Sequence, residues 1–155
     1  MTLKISVFIP VYRESDLLET LLDDLLSDPY EDKEIFVIVD EPTSKSLKLA
    51  ESFRGEVNFI FNGERKGKAN VLNEAAEKSD GEILLFLDGD VRVNHNSRGF
   101  LKTISEEMEE TEVMEIKKEI IRDSLTARFV SYEFLGSNAA NWLFSRILKL
   151  SLIHI

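Results

Sequence analysis

Cysteine is absent from this 155-residue chain. Its absence excludes disulfides and thiolate zinc sites and says nothing about compartment. Histidine is scarce: His95 and His154 are the only two. They stand far apart in the chain, so any metal rests on oxygen or on a lone histidine, and both histidines read as incidental. Positive charge is in deficit, with 19 Lys and Arg against 29 Asp and Glu and a net charge of -10. Such a surface repels nucleic-acid backbones and anionic lipid, which excludes a sequence-independent nucleic-acid binder. Long apolar runs are missing too. Nothing approaches the roughly 18 to 20 residues needed to span a bilayer; the nearest stretch, "NWLFSRILKLSLIHI", carries Arg146, Lys149 and His154. Met1 leads straight into a strand-like segment with no basic n-region and apolar h-region, so a cytoplasmic location is the expectation. Repeats, low-complexity tracts and flexible linkers are also lacking.

What remains is an ordinary globular balance, 43% hydrophobic and 31% charged, in one domain's length of chain. "KISVFIPV" is short, apolar and β-branched, as a buried strand should be. Ser15 can then cap a helix whose leucines at 17, 18, 21, 22, 25 and 26 form one stripe. The alternation repeats: "KEIFVIVD" with the helix "TSKSLKLAESFRG", stopped at Gly55; "VNFIF" with the helix "KANVLNEAAEKSDG", stopped at Gly81; and "EILLFLD". Strands apolar on both faces and alternating with helices predict an α/β domain with a mostly parallel sheet flanked by helices. "RGFLKTISEEMEE" reads as an acidic helix, "EVMEIKKEIIRD" as strand or helix, and residues 124 to 150 as mostly helical.

In such sheets ligands bind at the carboxyl ends of the strands. Those ends read "PVYRE", "DEPTS", "NGERKGK" and "DGD", and each carries more charge than a plain connection requires. Asp88 and Asp90 repel one another unless a cation sits beside them. Hard oxygen ligands on a turn suit Mg²⁺ or Mn²⁺, which fills its remaining positions with water and substrate phosphates. A solvated Asp-Gly turn is the alternative. Asp40 can accept from a ribose hydroxyl or a base N–H, or cap the helix starting near Thr43. Arg65, Lys66 and Lys68 form a basic cluster at a helix start, suited to a diphosphate or simply to solvent. Neither G-x-G-x-x-G nor G-x-x-x-x-G-K-[ST] occurs.

Taken together, "ISVFIPVYRESDLLETLLDDLL", "EIFVIVDEPTS" and "ERKGKANVLNEAAEKSDGEILLFLDGD" resemble family 2 glycosyltransferases. That family opens with "VSVIIPVYNE", continues with "EIIVVDDGSTD" and reaches a "FLDADD" segment. Four motifs in family order cover residues 4 to 93. The resemblance implies a GT-A (Rossmann-like, nucleotide-diphospho-sugar transferase) fold, a UDP- or GDP-sugar donor, Mg²⁺ or Mn²⁺, and transfer to an acceptor hydroxyl with inversion. Carried over by position, Pro10, Tyr12 and Glu14 hold the base and ribose, and Asp40 contacts the nucleoside. Arg65 and Lys68 lie at the diphosphate, and Asp88 and Asp90 form a DxD motif, with Asp88 facing the nucleotide and Asp90 the principal metal ligand.

The match also has gaps. Arg13 stands where the family has asparagine, and "DEPTS" replaces "DDGST", so Pro42 stiffens the turn and the role of Glu41 is open. The family's base lies well beyond the DxD motif; Glu133 is the one nearby acid, with a structural role in a helix as its alternative. The expectation is therefore a single domain, 1–155, incomplete at its C-terminus: a donor-binding half, 1–94, and the start of an acceptor-side half, 95–155. The acceptor, whether glycan, lipid or protein, is not legible. The apolar end, with Trp142, Phe144, Arg146 and Lys149, reads as core packing or as an amphipathic contact with a membrane surface. A non-catalytic nucleotide-sugar-binding module without a base is the rival reading, and a metal-dependent phosphotransferase a weaker one.

Overall fold

A computed structural model describes residues 3–93 and 99–116. Contacts divide the chain into one unit, Met1–Met114, and a second, Glu115–Ile155. Glu133 and the apolar C-terminal stretch thus lie outside the described residues. The elements run β1 (Ile5–Tyr12), α1 (Leu18–Leu26), β2 (Lys33–Asp40), α2 (Ser44–Ser52), β3 (Asn58–Asn62), α3 (Lys68–Ala76), β4 (Ile83–Phe86) and α4 (Phe100–Glu107). The four strands form one parallel sheet in the order β3-β2-β1-β4.

Both faces of the central strands are dry. Val7, Ile9, Val37 and Val39 on one face are fully buried, as are Phe8 and Ile38 on the other, which is why these strands read as continuous apolar runs. Val71 and Ala75 of α3 close the second face over Phe8, Phe36 and Ile38. The Phe8 and Phe36 rings stack there with centroids 5.4 Å apart. The stripe of α1 buries Leu18, Leu21, Leu22 and Leu25, each stabilising the fold by about 1.5–3 kcal/mol relative to exposure. Asp28 fastens α4 from a distance: its Oδ2 accepts from the N–H groups of Phe100 and Leu101 at 2.7 and 3.1 Å.

Strand order decides where a ligand can enter. The chain steps outward from β1 to β2 to β3, then crosses back so that β4 pairs with the free side of β1. Connections leaving β1 and β4 therefore diverge, which is the switch point at which α/β sheets open a crevice. Pro10 sharpens that opening. The β1–β4 ladder runs only from Ile5↔Ile83 to Phe8↔Phe86, and the last bond beyond it is Leu87 N–H to the Phe8 carbonyl, 3.0 Å. Pro10 faces the same way as Phe8, so its missing N–H falls where β4 has already left and no ladder bond is lost.

Three local expectations change. Ser15 does not cap α1: the helix starts at Leu18 with no side-chain cap, and the Ser15 hydroxyl donates instead to the Gly89 carbonyl at 2.7 Å. Thr43, not Asp40, caps α2, through a reciprocal capping box with Ser46. Gly81 does not stop α3, which ends at Ala76. It is needed because a Cβ there would lie 2.1 Å from Ser6 Oγ and 2.6 Å from Ser6 N.

That close approach sits in a polar cluster at the amino ends of the strands. Glu34 accepts from Ser6 Oγ at 2.6 Å and from Asp80 N–H at 2.9 Å, and pairs with Lys4 Nζ at 2.9 Å. Partial burial pushes the Glu34 carboxyl up, but the bonds from Ser6, Lys4 and Asp80 outweigh it and hold the group below its ordinary value. Because the folded-state value is depressed, its stabilisation is complete above the unfolded value near 4.5 and is lost as pH falls through the folded one. Urea unfolding at a series of pH values should show a shallower acid loss of stability in Glu34→Gln than in the parent. Gly81→Ala should cost about 1–3 kcal/mol or more of unfolding free energy by overpacking, and an unchanged midpoint would refute the close-contact account.

Candidate functional site

Strand register lines up the site. Tyr12 pairs with Asp40 and Asp40 with Asn62, so the final residues of β1, β2 and β3 form one row across the sheet. Asp40 is buried, 6% exposed. Its Oδ1 accepts from Asn62 Nδ2 at 2.9 Å, and its Oδ2 from the backbone N–H groups of Lys66 and Gly67 at 3.0 and 3.1 Å. One carboxylate thus shapes the β3–α3 loop. Two oxygens carry about four lone-pair sites, so a further donor such as a ribose hydroxyl remains within its capacity.

Immediately beyond the row, Arg13 and Glu41 adopt positive φ, 62° and 51°. Such backbone costs on the order of 1 kcal/mol or more for a residue with a side chain and recurs where function demands a geometry. The two are tied together. Glu41 Oε2 accepts from Arg13 Nε and Nη2 at 3.2 and 3.0 Å and from the Tyr12 hydroxyl at 3.0 Å. The hydrogen bonds it donates to Glu41 are the main reason the Arg13 guanidinium is held above its ordinary value. With side chains 58% and 35% exposed, the pair is screened by solvent and adds little stability; its effect is to fasten one loop to the other. Glu14 adds a second tie, accepting from the Thr43 hydroxyl at 2.6 Å.

The expected basic cluster separates into three destinations. The Lys66 ammonium pairs with Glu74 at 2.7 Å. Arg65 lies with its guanidinium carbon 4.8 Å from the centre of the Tyr12 ring, where Arg13 also lies at 5.1 Å. Lys68 alone reaches the aspartate pair, where it bonds Asp88. Arg65 therefore joins the Tyr12 group.

A cleft of about 390 Å³ lies at the switch point, lined by Pro10, Glu14, Ser15, Asp88, Gly89 and Asp90. Gly89 must be glycine there, since a Cβ would meet Val11 Cγ2 at 2.9 Å. Ser15 secures the turn through the Gly89 carbonyl, a strut that sequence reasoning missed because Ser15 also suits a helix cap. Asp88 and Asp90 supply hard oxygen ligands. Among the described residues no group of three or more His, Cys, Asp or Glu is placed to hold a metal. The pair thus fits a cation that takes two carboxylates and completes its shell from water and phosphate oxygens. Lys68 on Asp88 shows that a positive charge is favoured at this point.

The family model of glycosyl transferase family 2 matches residues 6–129. The chain belongs to this family. The family 2 chain is 32% identical to the poly-β-1,6-N-acetyl-D-glucosamine synthase of Staphylococcus aureus strain MSSA476 over 95 residues, 60% of this chain and 23% of the relative. It is 34% identical to the poly(ribitol-phosphate) β-glucosyltransferase of Bacillus spizizenii over 94 residues, 57% of this chain and 15% of that protein. The match thus spans less than a quarter of either relative's length. Among solved structures, the mannosyltransferase PcManGT of Pyrobaculum calidifontis, in complex with GDP-Man and Mn²⁺, superposes with TM-score 0.54 and 26% identity over 61% of this chain and 30% of that one. S. aureus TarS superposes with TM-score 0.60 and 25% identity over 69% of this chain and 20% of that one. The family 2 chain has the GT-A fold of these neighbours.

The hydrogen-bond pattern of Asp40 yields a direct expectation. Asp40→Ala strands two backbone N–H groups and the Asn62 amide, and each buried unsatisfied group costs about 1–3 kcal/mol. Chemical denaturation should show a loss of at least about 2 kcal/mol, whereas Asp90→Ala at an exposed position should change stability by less than about 0.5 kcal/mol.

Proposed function

We propose that this chain binds a nucleotide-diphosphate sugar across the carboxyl ends of β1, β2 and β4 and transfers the sugar to an acceptor hydroxyl with inversion, with the help of a divalent cation. The observation that carries the reading is the cleft at the switch point, where an aspartate pair, a buried glycine and the Lys68 ammonium converge. Support comes from relatives named as a glucosaminyl-polymer synthase and a glucosyltransferase, and from a neighbour that holds GDP-Man and Mn²⁺.

In this reading Asp88 and Asp90 hold the cation, with Asp90 the principal ligand. A divalent cation held by these two carboxylates would offset the diphosphate charge and would supply Lewis acidity toward the departing oxygen. Lys68 moves from Asp88 to a phosphate oxygen and adds a fixed positive charge where negative charge develops. Tyr12 and Glu14 flank the nucleoside, while Pro10 keeps the strand edge open. Asp40 holds the β3–α3 loop in shape and has capacity left for a ribose hydroxyl. Sugar transfer then passes through an oxocarbenium-like state. The acceptor hydroxyl needs a base, and Glu133, the one acid the sequence offered for it, lies outside the described residues.

Isothermal titration of nucleoside diphosphates with and without Mn²⁺ tests the donor site. Binding should require the metal, fall at least about tenfold in Asp90→Ala and weaken several-fold in Lys68→Met, as expected for losing a charge-assisted contact. Failure of every nucleotide to bind, with or without metal, sinks the reading. Sugar-nucleotide hydrolysis or transfer by the same preparation separates an enzyme from a binding module without a base.

A further inference from the structure

The β1–β4 ladder ends at Phe8↔Phe86, with a last bond from the Leu87 N–H, so the Asp88–Gly89–Asp90 turn lies past the sheet's own hydrogen bonds. Within the turn the Val91 N–H reaches the Asp88 carbonyl at a long 3.4 Å. Firmer support comes from the chain after β1. Gly89 is seated against Val11, and the Ser15 hydroxyl donates to the Gly89 carbonyl at 2.7 Å. Ser15 Oγ also accepts from the Leu17 N–H at 3.4 Å, which steadies the hydroxyl ahead of α1. On the far side of the turn, Arg92 Nε stands 3.9 Å from Asp24 Oδ2 of α1. The neighbours of Ser15 are fastened as well: Glu14 accepts from the Thr43 hydroxyl at 2.6 Å, and Asp16 pairs with Lys45. The segment that carries Ser15 is therefore anchored to the start of α2 on one side and to the turn after β4 on the other.

We propose that Ser15 is a positioning residue for the cation: by holding the Gly89 carbonyl it sets the direction of the Asp90 carboxylate. The inference rests on the nucleotide-sugar reading and deepens it, because it names what gives the aspartate pair its geometry. A peptide unit is planar, so the Gly89 carbonyl and the Asp90 Cα share one plane. Fixing the oxygen at Ser15 stops that plane from rotating, and with it the swing of the Asp90 side chain. Glycine makes such a restraint necessary. Val11 leaves no room for a Cβ at position 89, and the glycine that the contact demands brings the freest backbone of any residue. A cation that takes two carboxylates and draws its other ligands from water and phosphate binds less tightly when one carboxylate must first be ordered. Groups behind the ligands of a metal tune its affinity in this way. Asp88 has a support of its own in Lys68, so Asp90 is the ligand that relies on Ser15.

The test titrates UDP and GDP into the intact 155-residue chain over a series of Mn²⁺ concentrations and reads the Mn²⁺ needed for half-maximal binding of the tighter nucleotide. Ser15→Ala and the near-isosteric Ser15→Cys, whose thiol is a weak donor, should each raise that requirement about three- to tenfold. Ser15→Thr keeps the hydroxyl and should stay within about twofold of the parent. In an Asp90→Ala background, Ser15→Ala should add less than about twofold, because the ligand it serves is gone. Thermal midpoints report which variants fold. A folded Ser15→Ala or Ser15→Cys protein with the parent's Mn²⁺ requirement overturns the assignment and leaves the nucleotide-sugar reading standing. So does an equal loss with and without Asp90, or a folded Ser15→Thr protein that behaves like Ser15→Ala. If neither the Ala nor the Cys variant folds, the hydroxyl belongs to stability and the assignment fails again. Binding of no nucleotide by the parent removes both.

Discussion

A carboxylate buried to the extent of Asp40 costs several kcal/mol in lost hydration unless its lone pairs are filled. The fold fills them with Asn62 from the end of β3 and with two consecutive backbone N–H groups from the loop that follows. The solution has wide consequences. It fixes the path of Lys66 and Gly67, so α3 begins at Lys68 and presents that ammonium to Asp88. It places Arg65 over Tyr12. It also leaves the Glu41 carboxylate to the Tyr12 hydroxyl and the Arg13 guanidinium. One buried charge at the centre of the strand row thus determines where three other charged side chains go.

The site around it is divided by chemistry. On the β4 side, a turn with two carboxylates and a glycine pressed on Val11 faces the cleft, and Lys68 supplies the opposing charge. On the β2 side, Tyr12, Arg13, Glu41 and Arg65 form a polar, aromatic group. A phosphate-bearing ligand with an aromatic head matches that division end to end. The exposed ion pairs that hold it add little stability, so their persistence in the geometry reflects positioning more than folding energy. Stability comes instead from the two apolar faces of β1 and β2 and from the leucine stripe of α1.

Much of this was legible in the residues. Alternating apolar runs and helical stripes predicted every described strand and helix, because a strand buried on both faces and a helix buried on one leave different periodicities in sequence. The four loops were legible because charged residues directly after apolar strands have no packing reason to be there. Side-chain destinations were not. Ser15 has the chemistry of a cap and is used as a strut to Gly89. Gly81 has the look of a helix stop and is needed for Ser6. Nothing in the sequence places the Arg65 guanidinium over the Tyr12 ring, where it lies.

The sequence by itself determined the α/β class, the order of the elements, the family and the set of loops that carry polar chemistry. These follow from periodicity and from residues near one another in the chain. Only the tertiary structure decided that Tyr12, Asp40 and Asn62 share a row, that Arg13 pairs with Glu41 and that Lys68 meets Asp88. Neighbours in these contacts stand 20 to 28 residues apart in the chain, and they depend on strand register and on the crossover that returns β4 to the side of β1. Local propensity carries no information about either. Register is set by how two buried faces mesh, and the crossover by which strand edge remains free to pair.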